Sequence, residues 1–230
     1  MKQYIVIGGT AGIGGAITKQ LSEAGHEVLV LSRTNRNLEG LDRVQHEVWD
    51  ASGADAPGVL PAVADGLVYC PGSINLKPFH RLTAEDFMRD FQVNVLGAAR
   101  ALQHFMPALK AAPSASVVLF STVAVQTGMP FHASVAAAKG AIEGLVRSLA
   151  AEWAPRIQVN AIAPSLVPTE LSARLTSSDD KVQASAQRHP MQRLGTAEEL
   201  AQQAVFLLTQ MPWMTGQILA LDGGMSSVRL

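Results

Sequence analysis

An α/β fold built on one parallel sheet, with helices on both faces, is predicted by three features of the sequence. Short apolar runs alternate with helical patterns from one end of the chain to the other. The runs are continuous rather than alternating, as strands are when both faces are buried. A glycine-rich turn stands between the first run and the first helix, where doubly wound sheets carry a ligand-binding turn.

Tyr4-Ile5-Val6-Ile7 is the first strand, stopped by Gly8-Gly9. The segment after Gly14 reads as a helix that ends near Ala24-Gly25, where glycine suits the left-handed position past a helix C-terminus. Val28-Leu29-Val30-Leu31 is the second strand, and further strands are expected at 66–69, 116–120, 157–162 and 217–221. Helical patterns run from Ala84 to Leu109 and from Ala136 to Trp153. Thr83 with Asp86 opens the first as a capping box, and Thr196 with Glu199 opens another helix. No internal repeat or low-complexity tract interrupts this order. The segment from Leu166 to Arg188, rich in Ser, Thr and Asp, follows a strand, where lids over ligand crevices sit.

The chain of 230 residues makes one domain, 1–230, with a substrate lid at about 166–188. Apolar residues make up 48% and charged ones 16%, which excludes a disordered chain, and no apolar run approaches the roughly 18 residues of a membrane span. Eighteen basic and nineteen acidic side chains leave a net charge of −1, so neither nucleic acid nor an anionic membrane is an expected partner; a small molecule is. Cys70 is the single cysteine and cannot form an internal disulfide, and the chain opens directly into a strand-like run with no leader. A reducing cytoplasm is therefore expected. His189-Pro190-Met191 has no metal-ligand spacing, and no metal is expected.

Gly8-Gly9-Thr10-Ala11-Gly12-Ile13-Gly14 lies where backbone N–H groups and a helix N-terminus can meet a pyrophosphate. Its spacing is Gly-x3-Gly-x-Gly rather than Gly-x-Gly-x-x-Gly, and a tight turn without a ligand is the competing reading. At the end of the second strand, where such folds read the adenosine ribose, stand Ser32 and Arg33. A guanidinium suits a 2′-phosphate, so NADP(H) is expected in preference to NAD(H). The alternative is a solvated surface arginine.

With these and later motifs the sequence resembles the short-chain dehydrogenase/reductase family over almost its whole length, from Lys2 to Gly224. The glycine turn is followed in order by Asp50, by Asn94 in Val93-Asn94-Val95-Leu96-Gly97, and by Lys139. Val159-Asn160-Ala161-Ile162-Ala163-Pro164, Thr215-Gly216-Gln217 and Asp222-Gly223-Gly224 complete the series. The resemblance implies a Rossmann-type sheet of about seven strands, a nicotinamide cofactor across the strand ends, and a homotetramer or homodimer built through long helices. It carries cofactor contacts to Gly8, Thr10, Gly12, Ile13 and Gly14, to Ser32, Arg33 and Asp50, and to Gly72, Asn94, Lys139, Pro164, Val167 and Thr169. Two departures stand out: the family's Asn-Asn-Ala-Gly is Tyr69-Cys70-Pro71-Gly72 here, and its Pro-Gly is Pro164-Ser165.

A third departure falls on the chemistry. In the family a tyrosine four residues before the lysine gives the proton and a serine holds the substrate oxygen. Those positions are Val135 and Thr122, with Ser121 adjacent, and the only tyrosines in the chain are Tyr4 and Tyr69. Enoyl reductases of the superfamily place the tyrosine seven residues before the lysine, and His132 stands there. Seven residues return to within about 20° of the same helix face, and an imidazole titrates near neutrality; Ser134 projects toward a different face. The expected catalytic set is Asn94, Ser121, Thr122, His132 and Lys139. Met129, Pro130, Phe131, Leu166, Val167 and Leu171 imply a moderately apolar substrate, or simply pack the lid on the sheet. The competing function is a cofactor-binding protein without turnover, either a nucleotide sensor or the non-catalytic subunit of a hetero-oligomer with a tyrosine-bearing homologue.

Overall fold

A computed structural model, which describes residues 1–229, forms one domain around a single seven-stranded sheet. The strands are β1 (Gln3–Ile7), β2 (Glu27–Ser32), β3 (Val44–Val48), β4 (Gly66–Tyr69), β5 (Ala115–Phe120), β6 (Ile157–Pro164) and β7 (Ile218–Leu221). All pair in parallel, in the order β3-β2-β1-β4-β5-β6-β7.

Register explains the continuous apolar runs. Ile5 and Ile7 lie beside Leu29 and Leu31 on one side and Leu67 and Tyr69 on the other, and all six enter the core under the helices α3 (Gly97–Ala111) and α5 (Ala133–Trp153). Tyr4 and Val6, with Val28, Val30 and Val68, turn to the opposite face and pack on α1 (Gly12–Glu23) and α7 (Ala197–Thr209). β3 is the strand that the run criterion misses. Val44-Gln45-His46-Glu47-Val48 sits at the sheet edge with no fully buried residue, so it carries polar side chains instead of an apolar run.

Both capping boxes form. Thr83 Oγ1 accepts from the Asp86 amide while Asp86 Oδ2 accepts from the Thr83 amide, and Thr196 with Glu199 does the same at α7. The expected helix from Ala84 to Leu109 is not uniform: α2 (Ala84–Phe91) runs through a π-helical segment, Gln92–Leu96, into α3. Asn94 Nδ2 donates to the Asp90 carbonyl at 2.8 Å, occupying an acceptor that a regular helix would use, and the ladder widens there. α5 begins at Ala133, three residues earlier than expected, after the short α4 (Ala124–Thr127). Within 166–188, the expected lid, lies α6 (Asp179–Ala186), capped by Ser178 and without a buried residue. No helix of the described residues is long and apolar enough to cross a membrane.

β1 is followed by β2 on one side of it and β4 lies on the other, so the loops after β1 and β4 diverge and open a crevice at the carboxyl ends of the strands.

Candidate active site

The crevice holds two cavities in line, with volumes of about 710 and 540 Å³, that share Ile13, Cys70, Gly72, Thr169 and Leu171 as walls. The larger is lined by the first glycine turn. Gly8 and Gly12 take positive φ angles of 75° and 53°, and a Cβ on Gly14 would collide with the Gly8 carbonyl oxygen, so this close turn needs glycine. The N-terminus of α1 has no side-chain cap, unlike those of α2, α6 and α7, and no acidic residue in its first turn. Its free N–H groups therefore face the cavity uncompensated, which fits a pyrophosphate.

At the far end of this cavity stand Ser32, Arg33 and Asp50. Arg33 is exposed and makes no ion pair among the described residues. Ser32 Oγ donates to the Thr34 carbonyl at 2.8 Å, so His46 Nε2, 2.9 Å away, is the donor to that oxygen. Asp50 Oδ1 accepts from the Ser52 amide and hydroxyl, and these bonds hold its carboxyl below the ordinary carboxylate range, with Arg33 adding to them. Arg36, which motif spacing does not single out, is a second guanidinium in this wall. It bonds Glu170 Oε2 at 2.6 Å and so links the loop after β2 to the segment after β6.

The smaller cavity carries the groups with chemistry. Lys139 Nζ donates to the Phe120 carbonyl at 2.8 Å, and burial pushes its pKa down to about 8, against the opposing influence of Cys70 and Asp90. Asn94 stands behind Gly72 rather than in the wall: a Cβ on Gly72 would lie 3.2 Å from Asn94 Oδ1 and 3.4 Å from Lys139 Nζ. Asn94 Oδ1 is buried without a partner, and Ser73, in the wall, accepts from Asn94 Nδ2 and donates to Asp90 Oδ1 at 2.6 Å. Thr122, Val135 and His132 line the same cavity, together with Pro164, Val167 and Thr169. His132 flanks the start of α5, and its Nδ1 donates to the Pro130 carbonyl at 2.7 Å, leaving Nε2 as the free ring nitrogen.

Several sequence expectations are corrected. Ser121 does not reach the cavity: its hydroxyl is buried and donates to Glu143 Oε1 at 2.9 Å, because it alternates with Thr122 on the extended chain after β5. Of the expected apolar wall, Met129, Leu166, Val167 and Leu171 line the cavity, whereas Phe131 turns outward, 56% exposed, with φ 71°. Ser134 is buried with its hydroxyl unpartnered. Neither tyrosine lines this cavity: Tyr4 lies in the core, and the Tyr69 hydroxyl donates to the Val93 carbonyl. Cys70, walled in, has its thiol pushed up to about 12 by burial and is an inert wall residue. Ser165 and His189, bonded to each other at 2.8 Å, also line the cavity. The Pro164-Ser165 departure is the signal that points to the first of them.

Comparison with known proteins gives one consistent picture. Residues 62–226 match the family model described as enoyl-(acyl carrier protein) reductase. A tropinone reductase homolog of Arabidopsis thaliana is 33% identical over 240 residues, covering 96% of this chain and 92% of its own. A short-chain type dehydrogenase/reductase from Mycobacterium ulcerans superposes with a TM-score of 0.88 at 27% identity, covering 99% of this chain and 90% of its own. The RhlG/NADP active-site complex of Pseudomonas aeruginosa superposes with a TM-score of 0.88 at 25% identity, covering 98% and 96%.

Proposed function

The chain belongs to the short-chain dehydrogenase/reductase family, and from that premise we propose an oxidoreductase that moves hydride between NADP(H) and a small, moderately apolar carbonyl or enoyl compound. The observation that carries the reading is one continuous crevice with an uncapped helix N-terminus and an Arg33 without an ion pair among the described residues at one end, and Lys139 with Thr122 at the other. A relative's complex with NADP on the same fold supports the choice of nucleotide.

In this reading the turn from Gly8 to Gly14, with Thr10 and Ile13, takes the pyrophosphate, Arg33 and Ser32 take the 2′-phosphate, and Asp50 meets the adenine. Gly72, Pro164, Val167 and Thr169 wall the nicotinamide end. Bound there, the nicotinamide supplies or accepts the hydride. Lys139 hydrogen-bonds its ribose, held on line by the Phe120 carbonyl and by the buried Asn94 beside it. Thr122 and His132 polarise the substrate oxygen. The segment 166–188 is the lid, fastened across the crevice by Arg36 and Glu170. A homodimer or homotetramer in a reducing cytoplasm completes the reading.

Val135 favours a second reading. Lacking a proton to give one helical turn before Lys139, it fits a nucleotide-binding protein without turnover, a sensor or a partner subunit. NADPH consumption by the purified protein with aldehydes, ketones, quinones and enoyl thioesters tests both readings, with nucleotide binding measured on the same sample. Consumption with one class supports the enzyme; tight binding without consumption supports the sensor. Arg33→Ala is expected to weaken NADPH binding about tenfold or more and leave NADH binding little changed, as loss of one charge-assisted phosphate contact requires. An unchanged ratio of the two dissociation constants removes Arg33 from the nucleotide site.

A further inference from the structure

The family's glycine after Pro164 is replaced here by Ser165, and this added side chain does not face solvent alone. Its Oγ lies 2.8 Å from His189 Nε2, and both residues line the cavity that contains Lys139, Thr122 and Val135. His189 is 3% exposed, and its Nδ1 lies 2.8 Å from the Ser185 carbonyl in the last turn of α6. A carbonyl only accepts, so Nδ1 carries hydrogen in either protonation state. In the neutral ring Nε2 is therefore a bare acceptor pointing at the Ser165 hydroxyl. In the imidazolium Nε2–H donates to Oγ, and the hydroxyl hydrogen is released to another acceptor; Met225 Sδ, 3.1 Å from Oγ, occupies one such direction. Position 165 directly follows the last residue of β6, so the pair stands at the carboxyl end of the sheet, where the crevice opens.

Resting on the oxidoreductase reading above, we infer that Ser165, backed by His189, is the proton carrier of the reaction in a site without a tyrosine. In this proposal Ser165, whose hydroxyl lines the cavity, is the catalytic residue that meets the substrate oxygen. His189 acts through it and is a positioning residue that stores the proton. In reduction, the carbonyl carbon gains the hydride and its oxygen gains the proton of Ser165 as that O–H bond breaks. The Nε2–H bond of His189 breaks in turn, its proton passing to Oγ, and the ring is left neutral. In oxidation the alcohol proton goes to Oγ and the serine proton to Nε2; in each direction one proton passes through the pair, one hydride is exchanged with the nucleotide, and solvent restores the starting protonation state of the ring. The pair differs from His132, whose ring lies at the start of α5 and is not fully buried. It also differs from a nucleophile and base, because the Ser165 oxygen forms no bond to carbon in this step.

The test uses the full chain with NADPH and the carbonyl panel. Ser165→Ala and His189→Gln are expected to lower kcat about 100-fold, as loss of a general acid does, with the NADPH dissociation constant and KM little changed; Ser165→Thr, which keeps the hydroxyl, recovers most of the rate. Nitrogen-15 NMR of histidine-labelled protein gives a readout independent of turnover. Neutral His189 carries its hydrogen on Nδ1, and its Nε2 resonance moves in Ser165→Ala but not in Ser165→Thr. A neutral His189 with hydrogen on Nε2 overturns the relay, as does turnover that survives in Ser165→Ala, including the case where His132→Ala abolishes it instead. Wild-type protein that binds NADPH yet consumes none of the panel overturns the oxidoreductase reading, and the relay with it.

Discussion

The burial of Lys139 carries a stability penalty, and the penalty is measurable. The residue is 8% exposed, and burial lowers the pKa of its amine from 10.5 to about 8. Below about pH 8 the folded protein holds a charge in a place that disfavours it; between about pH 8 and 10.5 the folded lysine is neutral while the unfolded one is still protonated. The unfolded state then binds more protons, so stability rises with pH across that window, by about 3 kcal/mol in all. Cys70, pushed from 9.0 to about 12, and Tyr4, pushed from 10.0 to about 12, work against it, because they ionise first in the unfolded chain. The difference between wild type and Lys139→Met isolates the lysine, since both thiol and phenol stay protonated in either folded protein up to pH 10.5. At pH 7 the methionine variant gains the relieved charge and loses the bond to the Phe120 carbonyl, which costs about 1–2 kcal/mol. It is therefore expected to be about 1–2 kcal/mol more stable than wild type at pH 7, and less stable by a similar amount at pH 10.5. Urea titrations of both proteins at intervals from pH 7 to 10.5 read this crossing directly, and a difference that stays constant over the range would refute the buried-charge account.

Gly14→Ala forces a methyl against the Gly8 carbonyl and displaces the turn proposed to meet the pyrophosphate; NADPH affinity measured by calorimetry is expected to drop about tenfold or more, as misplacing one or two charge-assisted phosphate contacts would cause. Phe105 on α3 is fully buried in the core under the sheet, and Phe105→Ala is expected to cost about 3–5 kcal/mol by urea denaturation; a loss under about 1 kcal/mol would mean that this core is loosely packed. Asp86, bonded by Lys77 and by the Thr83 amide, has its carboxyl held at about 2 against an ordinary 3.8. A depressed folded pKa contributes stability above about pH 4 and loses it as pH falls through about 2, so wild type and Asp86→Asn are expected to converge in acid titrations over that interval. Parallel curves would show that the capping box does not depend on the charge.

What the sequence disclosed follows from which physical signal each element leaves. Five strands are buried on both faces, and burial writes a continuous apolar run that any reader of the chain meets; β7, only partly buried at the far edge, keeps an apolar run as well. β3 is buried on neither side of its pleat and left no such run; only its pairing with β2 makes it a strand. The capping boxes were legible because their chemistry is local, three residues apart. The π-helical segment was not, because its cause is one side chain, Asn94, competing for one carbonyl, which no periodicity reports.

The same division runs through the site. A turn that can take a phosphate depends on backbone geometry, so it leaves glycines at fixed spacing, and the turn from Gly8 to Gly14 that lines the larger cavity is readable from seven letters. The proposed proton transfer depends on two side chains meeting from distant points of the chain. Ser165 and His189 lie 24 residues apart, joined by the way the segment after β6 folds back through α6. Read alone, Ser165 was only a departure from a pattern, and His189 a histidine without metal-ligand spacing. The residue that looked most suitable by helical arithmetic, His132, lies where α5 starts, and Ser121, next in sequence to Thr122, points the other way to Glu143. Where a reaction loses its usual acid, the replacement therefore need not occupy the same face or even the same helix. It has only to reach the same cavity with a proton and a partner that returns it, as proposed for Ser165 and His189, which line the cavity with Lys139.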